Sequence, residues 1–172
     1  MDRRQLRQLG VFAFLTLALV VLDQLSKLWA MQSLKGQPAI VVIPNFWDFV
    51  YVENPYTAFG LTRFIPEPIR IPFVVTVALV TLVVLTWYVA KAPRRPLTLL
   101  AVSFIATGAM GNLIDRFTRG FVVDFVYWHA GTSFGWPVFN VADSAVTVGV
   151  VLLLLDAWLD RDEVPVESPN SA

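Results

Sequence analysis

Two aspartates in the second half of the chain are the residues best suited to chemistry. Asp124 lies in the apolar stretch FVVDFVYW, and Asp143 lies further along in FNVADS. A carboxyl group with apolar surroundings has a raised pKa, and two carboxyl groups held close together tend to share one proton. Such a pair activates water, because one carboxylate accepts a proton from water while the protonated partner hydrogen-bonds the scissile carbonyl. The pair therefore predicts hydrolysis.

Further polar residues flank this pair. Asn112, Arg116 and Asn140 are suited to stabilising developing charge or orienting the carboxylates, and Asn140 is a plausible N-cap for a helix that begins near Asp143. Gly108, Asn112 and Arg116 are spaced i, i+4, i+8, so they form one stripe on a helix. Plainer interpretations stay open. The stripe is also typical of ordinary helix packing with an arginine at the helix C-terminus. Asp143 is equally typical of an acidic residue in the first turn of any helix.

Asp23 and Lys27 stand four residues apart near the end of the first apolar run, with the acidic residue first. This order favours an intrahelical ion pair, and a pair at a helix end near the interface explains them at least as well as chemistry does. Ser26 and Lys27 cannot form a catalytic dyad, because adjacent helical residues point about 100° apart. No GxSxG motif is present, and the single histidine, His129, lies in an aromatic stretch. A serine hydrolase is therefore disfavoured.

The composition excludes several classes of protein. The chain has 172 residues, no cysteine and one histidine, which excludes a thiol nucleophile, a disulfide framework, a cysteine-ligated cluster and an HExxH zinc site. We therefore expect no metal and no cofactor. The formal net charge is zero, so a nucleic-acid partner has no electrostatic support. Without a cysteine, the chain is also not itself a lipoprotein.

Four apolar runs must position these residues. They predict transmembrane helices over about residues 11–31, 71–90, 97–114 and 141–159. Between the first two runs, residues 32–70 form an outer segment in which AIVVIPNFWDFVYVENP predicts two short strands, with an irregular loop as the alternative. The fold class is therefore a mainly α membrane protein, a four-helix bundle with a small β-rich cradle. We expect one domain over residues 1–160 and a disordered tail over residues 161–172.

The orientation follows from the basic residues, which cluster at cytoplasmic ends of membrane spans. They lie before the first span and between the second and third, so both termini are predicted to be cytoplasmic. The first run lacks a convincing cleavage site, so we interpret it as a membrane helix and not as a cleaved signal peptide. The segments 32–70 and 115–140 then face outward together. The polar residues of three helices converge at that outer level.

The assembled motifs resemble the lipoprotein signal peptidases, the bacterial type II signal peptidases of aspartyl protease family A8. The matching blocks are DQLSK at 23–27, the loop at 54–60, GAMGNLIDR at 108–116, VVDF at 122–125 and FNVADS at 139–144. Each block is short, but their order and spacing among four apolar runs are specific. The chain departs from the family in this loop: where the pattern is Asn-x-Gly-Ala-x-Phe, Tyr56 stands in place of glycine and Thr57 in place of alanine.

The resemblance implies an inner-membrane endopeptidase that removes the signal peptide from diacylglyceryl-modified prolipoproteins, cutting before the lipidated cysteine. It implies Asp124 and Asp143 as the catalytic dyad, near the outer leaflet, and globomycin-type cyclic peptides as inhibitors. Membrane lipids are further partners, and we expect a monomer. The positions that match the family's substrate-binding or dyad-supporting residues are Asp23, Lys27, Asn54, Gly108, Asn112, Asp115, Arg116, Asn140 and Ala142.

On the residues alone, two other classes of function stay open. A small transporter or channel would use Asp23, Asp124 and Asp143 as a proton or cation relay, although four spans without broken-helix symmetry argue against it. A non-catalytic membrane assembly factor would tolerate alanine at both members of the dyad.

Overall fold

The computed structural model describes residues 2–56, 62, 64–91 and 95–161. Its helices are α1 (Arg3–Ser33), α2 (Glu67–Lys91), α3 (Pro96–Arg119) and α4 (Val141–Arg161), and its strands are β1 (Ile40–Ile43), β2 (Trp47–Asn54), β3 (Val122–Ala130) and β4 (Phe134–Gly135). All four helices are long and apolar enough to span a membrane. The predicted fold class is confirmed. The predicted disordered tail lies outside the described residues apart from Arg161, where α4 ends.

The helices extend beyond the predicted spans, and α2 begins inside the segment assigned to the outer β-rich region. It starts at Glu67 and contains Pro72. Pro68 is tolerated in the first turn because the first N–H groups have no intrahelical partner, whereas Pro72 lies inside the helix, beyond those groups. An apolar run identifies only the part of a helix that lies in lipid, whereas the helical hydrogen bonds continue into the polar residues on either side of the run. The sequence-based bounds of α2 were therefore too short at the N-terminal end.

The buried residues of α1 follow one stripe with spacings of three and four, as expected for a helix that packs along a single face. They are Phe12, Thr16, Val20, Asp23, Lys27 and Ala30. This face packs against α3, which also contacts α2 and α4. Most large apolar side chains of α2 are exposed in the bundle, as suits a lipid-facing helix.

The strands form one antiparallel sheet in the order β1-β2-β3-β4. The two predicted strands are confirmed as β1 and β2, joined by a turn in which the Phe46 N–H donates to the Ile43 carbonyl over 3.0 Å. Pro44 and Asn45, with φ of 64° at Asn45, fit a type II turn. The other two strands come from the connection between α3 and α4, so the sheet joins the α1–α2 and α3–α4 connections, which are distant in sequence.

The sheet is attached to the end of α1. Ala30 and Leu34 of the helix end pack with Val123 and Phe125 of β3 in one buried apolar cluster. Val52 pairs with Asp124, and Asn54 pairs with Val122. The carboxylate of Asp124 is therefore fixed at the level where α1 and α3 end and α4 begins.

Gly108 allows α3 and α4 to approach closely. A Cβ atom at this position would lie 2.1 Å from Cγ2 of Val146 and 2.6 Å from the carbonyl oxygen of Ala142. For Gly108 the helix-packing interpretation is therefore the one that the structure supports. Its contribution to the site is indirect, through the position of α4.

We predict that Gly108→Ala destabilises the protein by about 1–3 kcal/mol, because overpacking a close helix contact forces backbone and side-chain shifts. The measurement is thermal unfolding in detergent micelles. Gly10→Ala is the matched control, since a Cβ there has no atom within 4 Å in α1. Equal unfolding temperatures for the two variants would contradict the assignment of Gly108 to the helix contact.

Candidate active site

Asp124 reaches its position through the pairing of β3 with the chain that returns to α4. The Phe139 N–H donates to the Val126 carbonyl over 3.0 Å, and the Val126 N–H donates to the Phe139 carbonyl over 2.8 Å. This bridge brings the next residue, Asn140, alongside Asp124. The Asn140 Nδ2 then donates to Oδ1 of Asp124 over 2.6 Å.

Both carboxylate oxygens of Asp124 accept an amide hydrogen. The second donor is Nδ2 of Asn54, at the end of β2, which lies 2.8 Å from Oδ2. Asp124 is 1% exposed. Burial raises the pKa of Asp124 to about 7, the charge of Asp143 contributes to the rise, and the hydrogen bonds from Asn54 and Asn140 oppose it. Asp124 can therefore exchange a proton near neutral pH.

Asp143 is held by the start of α4. Its N–H donates to Oδ1 of Asn140 over 2.9 Å, and its Oδ2 accepts the Asn140 N–H over 3.3 Å. This reciprocal arrangement is a capping box, which confirms the predicted N-cap role of Asn140. Nδ2 of Asn112 donates to Oδ1 of Asp143 over 2.8 Å. The side chain of Asn140 thus contacts both aspartates, and Asn112 holds the second one from α3.

A buried charge cluster lies directly behind these amides. Nζ of Lys27 lies 2.9 Å from Oδ2 of Asp23 and 3.2 Å from Oδ2 of Asp115, and all three side chains are completely buried. Lys27 also donates to Oδ1 of Asn112 over 3.0 Å. The helix-end ion pair of the sequence analysis therefore exists, but in the interior. Through Asp115, the cluster that contains this pair connects α1 to α3.

Each carboxylate of this cluster also accepts a main-chain N–H from the residue that precedes one of the two candidate catalytic aspartates. Oδ1 of Asp23 accepts the N–H of Ala142 over 2.9 Å, and Oδ2 of Asp115 accepts the N–H of Val123 over 3.0 Å. Ala142 therefore takes part through its backbone. Gly111 leaves room for this contact, since a Cβ there would lie 2.6 Å from Oδ2 of Asp23.

Arg116 does not hydrogen-bond the aspartates in the contacts that the structure describes. It donates to the carbonyl of Asn112 over 3.0 Å and to the carbonyl of Tyr56 over 3.0 Å. It therefore fastens the turn after β2 to α3. His129 lies elsewhere on the sheet, stacked on Tyr127 and 3.2 Å from Asp48.

A family model described as Signal peptidase (SPase) II matches residues 15–159. The chain belongs to the signal peptidase II family. Among similar relatives, the lipoprotein signal peptidase of Syntrophotalea carbinolica is 42% identical over 159 residues, covering 91% of this chain and 96% of the relative. That of Chlorobaculum parvum is 42% identical over 151 residues, covering 83% and 91%.

The fold agrees with solved structures as well. A bacterial membrane enzyme structure determined by the in meso method matches with a TM-score of 0.79 and 27% identity, covering 94% of this chain and 95% of that one. A second such structure matches with a TM-score of 0.74 and 27% identity, covering 86% and 92%. This chain is thus a signal peptidase II with the family's membrane architecture.

Two residues of this signal peptidase II were missed in the sequence. Nε2 of Gln24 donates to Oδ1 of Asp115 over 3.0 Å, to Oδ2 of Asp23 over 3.1 Å and to the Gly111 carbonyl over 3.2 Å. Arg119 forms an ion pair with Asp115 one helical turn earlier. The i, i+4 spacing of Asp115 and Arg119 was a usable signal. Gln24 offered none, because a polar residue beside an ion pair is ordinary.

We predict that Lys27→Met lowers the stability of this signal peptidase II by about 3–5 kcal/mol, because it leaves two buried carboxylates without their shared cation. Thermal unfolding in detergent measures the loss. Lys35→Met is the matched control: Lys35 pairs with Glu53 over 2.8 Å, but its side chain is 58% exposed. An exposed pair contributes little. The importance of the cluster would be refuted if both variants unfolded at the wild-type temperature.

Proposed function

We propose that this chain removes the signal peptide from diacylglyceryl-modified prolipoproteins, cutting before the lipidated cysteine, with Asp124 and Asp143 as the catalytic dyad. The observation that carries the proposal is the bridge of amides between the two carboxyl groups. Asn140 donates to the carboxylate of Asp124 through Nδ2 and to that of Asp143 through its main-chain N–H. Asn54 and Asn112 each donate to one of the two carboxylates. The names of the relatives support the choice of substrate.

The mechanism follows from a dyad that holds one proton. The ionised carboxylate accepts a proton from water as the water oxygen attacks the scissile carbonyl carbon, and the protonated carboxyl gives its proton to the carbonyl oxygen. In the second step the first carboxyl protonates the leaving amide nitrogen, and the other recovers a proton from the diol as the C–N bond breaks. The products are a peptide carboxyl and the amino group of the lipidated cysteine. The dyad again holds one proton.

The roles of general acid and general base are properties of the pair and are not assigned to either aspartate alone. Two strongly interacting carboxyl groups lose their protons in steps that are properties of both. The pKa of Asp124, near 7, supports a shared proton at neutral pH. The donors to its two oxygens are neutral amides, which orient the carboxylate without pairing its charge.

For location we propose a multi-pass protein of the bacterial inner membrane, with both termini in the cytoplasm and the site near the outer leaflet. The basic residues in the first turns of α1 and at the α2–α3 connection support this orientation. The sheet lies at the opposite end and exposes apolar side chains of β1, among them Val41 at 58%. These are suited to contact with lipid at the outer surface, where a diacylglyceryl group would place the scissile bond.

Two further partners and the oligomeric state complete the proposal. Globomycin-type cyclic peptides would inhibit by occupying the dyad, and membrane lipids would surround the exposed apolar faces of α2 and α4. We propose a monomer, since one chain supplies both aspartates and the amides that hold them. Light scattering in detergent, corrected for the mass of the micelle, tests the monomer. A protein mass equal to that of a dimer would contradict it.

We predict that Asp124→Asn and Asp143→Asn each lower cleavage of a diacylglyceryl prolipoprotein by about 10²- to 10⁴-fold, because an amide cannot exchange the required proton. A gel-shift assay with the purified, folded variants measures cleavage, and globomycin should block the wild type. Asp48→Asn is the control, a carboxylate of the same sheet that pairs with His129. Wild-type cleavage by either dyad variant would exclude this mechanism.

The orientation is testable by cysteine labelling, because the natural chain has no cysteine. We predict that Ser133→Cys, in the β3–β4 turn, reacts with a membrane-impermeant maleimide on intact spheroplasts. Ser168→Cys, in the C-terminal tail, should react only after the membrane is permeabilised. The reverse pattern would invert the proposed topology, and equal labelling in intact cells would contradict the crossing of α4.

A further inference from the structure

The turn after β2 fixes the direction of the Asn54 amide. The Tyr56 N–H donates to Oδ1 of Asn54 over 2.9 Å, in the manner of an Asx turn. Because Oδ1 is occupied by this bond, the Nδ2 group is left to face Oδ2 of Asp124, 2.8 Å away. A reversed amide would set its oxygen against the carboxylate and its NH₂ against an N–H. The turn at Tyr56 therefore determines which end of Asn54 meets Asp124.

Tyr56 is itself held by two arginines from different helices. Arg116 of α3 donates to the Tyr56 carbonyl over 3.0 Å. Arg70 of α2 places its guanidinium 4.6 Å from the centre of the Tyr56 ring, within the range of a cation–π contact. The N–H, the carbonyl and the ring of Tyr56 thus each have a partner.

The guanidinium of Arg70 is fixed in turn. Its Nε and Nη2 both donate to the carbonyl of Ile65, over 3.1 and 2.9 Å. A guanidinium whose plane is set by two hydrogen bonds loses little further freedom when an aromatic ring packs against it. Asn45 is the one non-glycine residue with positive φ in the described part of the chain, so Tyr56 adopts this turn without left-handed strain. Tyrosine is compatible with the position where the family pattern has glycine.

We propose that Arg70 is a positioning residue of the peptidase: through the ring of Tyr56 it holds the turn that directs the Asn54 amide at Asp124. The proposal rests on the proposed function, because it assumes that the protonation of Asp124 matters to the reaction. The described contacts of Arg70 are with Ile65 and Tyr56 and include neither aspartate of the dyad. It acts through two intermediate residues, and its loss should change how Asp124 titrates without removing catalysis.

The direction of that change follows from the hydrogen bond. Donation from Asn54 favours the ionised carboxylate and lowers the pKa of Asp124, so weakening it lets the pKa rise further. The limb of the pH–rate profile that belongs to Asp124 then moves to higher pH, whether the reaction needs this group ionised or protonated. The charged groups that face Asp124 are Asp143, Lys27 and, at longer range, Arg116. All three stay unchanged in the variants.

The experiment measures kcat/KM against pH with a fluorogenic peptide that carries a diacylglyceryl cysteine. We expect Tyr56→Leu and Arg70→Gln each to lower kcat/KM about three- to tenfold at pH 7 and to move the same limb upward. The double variant should be no worse than the poorer single variant, because the two residues act as one unit. Tyr56→Phe keeps the ring and should retain activity and profile.

Two comparisons separate this effect from simpler ones. Tyr56→Leu removes no charge, so the same pH shift in both single variants excludes a direct effect of the Arg70 charge. Lys35→Gln is the matched control, because Lys35 lies 5.4 Å from the ring centre of Tyr51 on the same sheet and does not contact Asn54. It should leave kcat/KM and the profile unchanged.

Additive losses from the two single variants, or losses with an unshifted profile, would overturn the proposal. Thermal unfolding identifies a variant that fails to fold, and if Arg70→Gln does so, Tyr56→Leu against Tyr56→Phe decides the question. Failure of the proposed function looks different. In that case Asp124→Asn and Asp143→Asn cleave normally, whatever the Arg70 variants do.

Discussion

The buried ammonium of Lys27 is the constraint on which the rest of the site depends. Removing a charge from water inside a membrane bundle is costly unless opposite charges and hydrogen bonds compensate it. Asp23 and Asp115 supply two negative charges, and Arg119 pairs with Asp115 to restore neutrality. The carboxylates still need donors for their remaining lone pairs. They find them in the N–H groups of Ala142 and Val123, which places Asp143 and Asp124 one residue further along.

Amides separate this cluster from the dyad. Asn112 accepts from Lys27 through Oδ1 and donates to Asp143 through Nδ2, so the cation orients the amide and does not contact the carboxylate. A lysine placed directly against a carboxylate would favour its ionised form strongly. A neutral amide side chain orients the carboxylate without placing a charge beside it. Neutral neighbours of this kind suit the proposed dyad with its shared proton, and Asn54 and Asn140 repeat the arrangement at Asp124.

Much of the fold was readable in the sequence because its signals are local. Apolar length located four helices, β-branched residues located β1 and β2, and the spacing of Asp23 and Lys27 located their ion pair. The pairing of β3 with β2 was not readable, because FVVDFVYW is apolar on both faces and shows no alternation. The partners of Gln24 and Arg70 depend on how helices rotate and cross. Neither residue differs in sequence from an ordinary polar residue at a helix end.

The place where these groups meet follows from a requirement of helix ends. The last carbonyls of α3 and the first N–H groups of α4 lack intrahelical partners, and lipid cannot supply any. Gly120, with φ of 81°, ends α3, and its N–H donates to the Arg116 carbonyl of the last turn over 3.2 Å. Asn140 and Asp143 cap the start of α4. Two of these capping groups belong to the proposed site: Asp143 is a member of the proposed dyad, and Asn140 donates to its other member, Asp124. One set of residues therefore satisfies both the backbone and the chemistry.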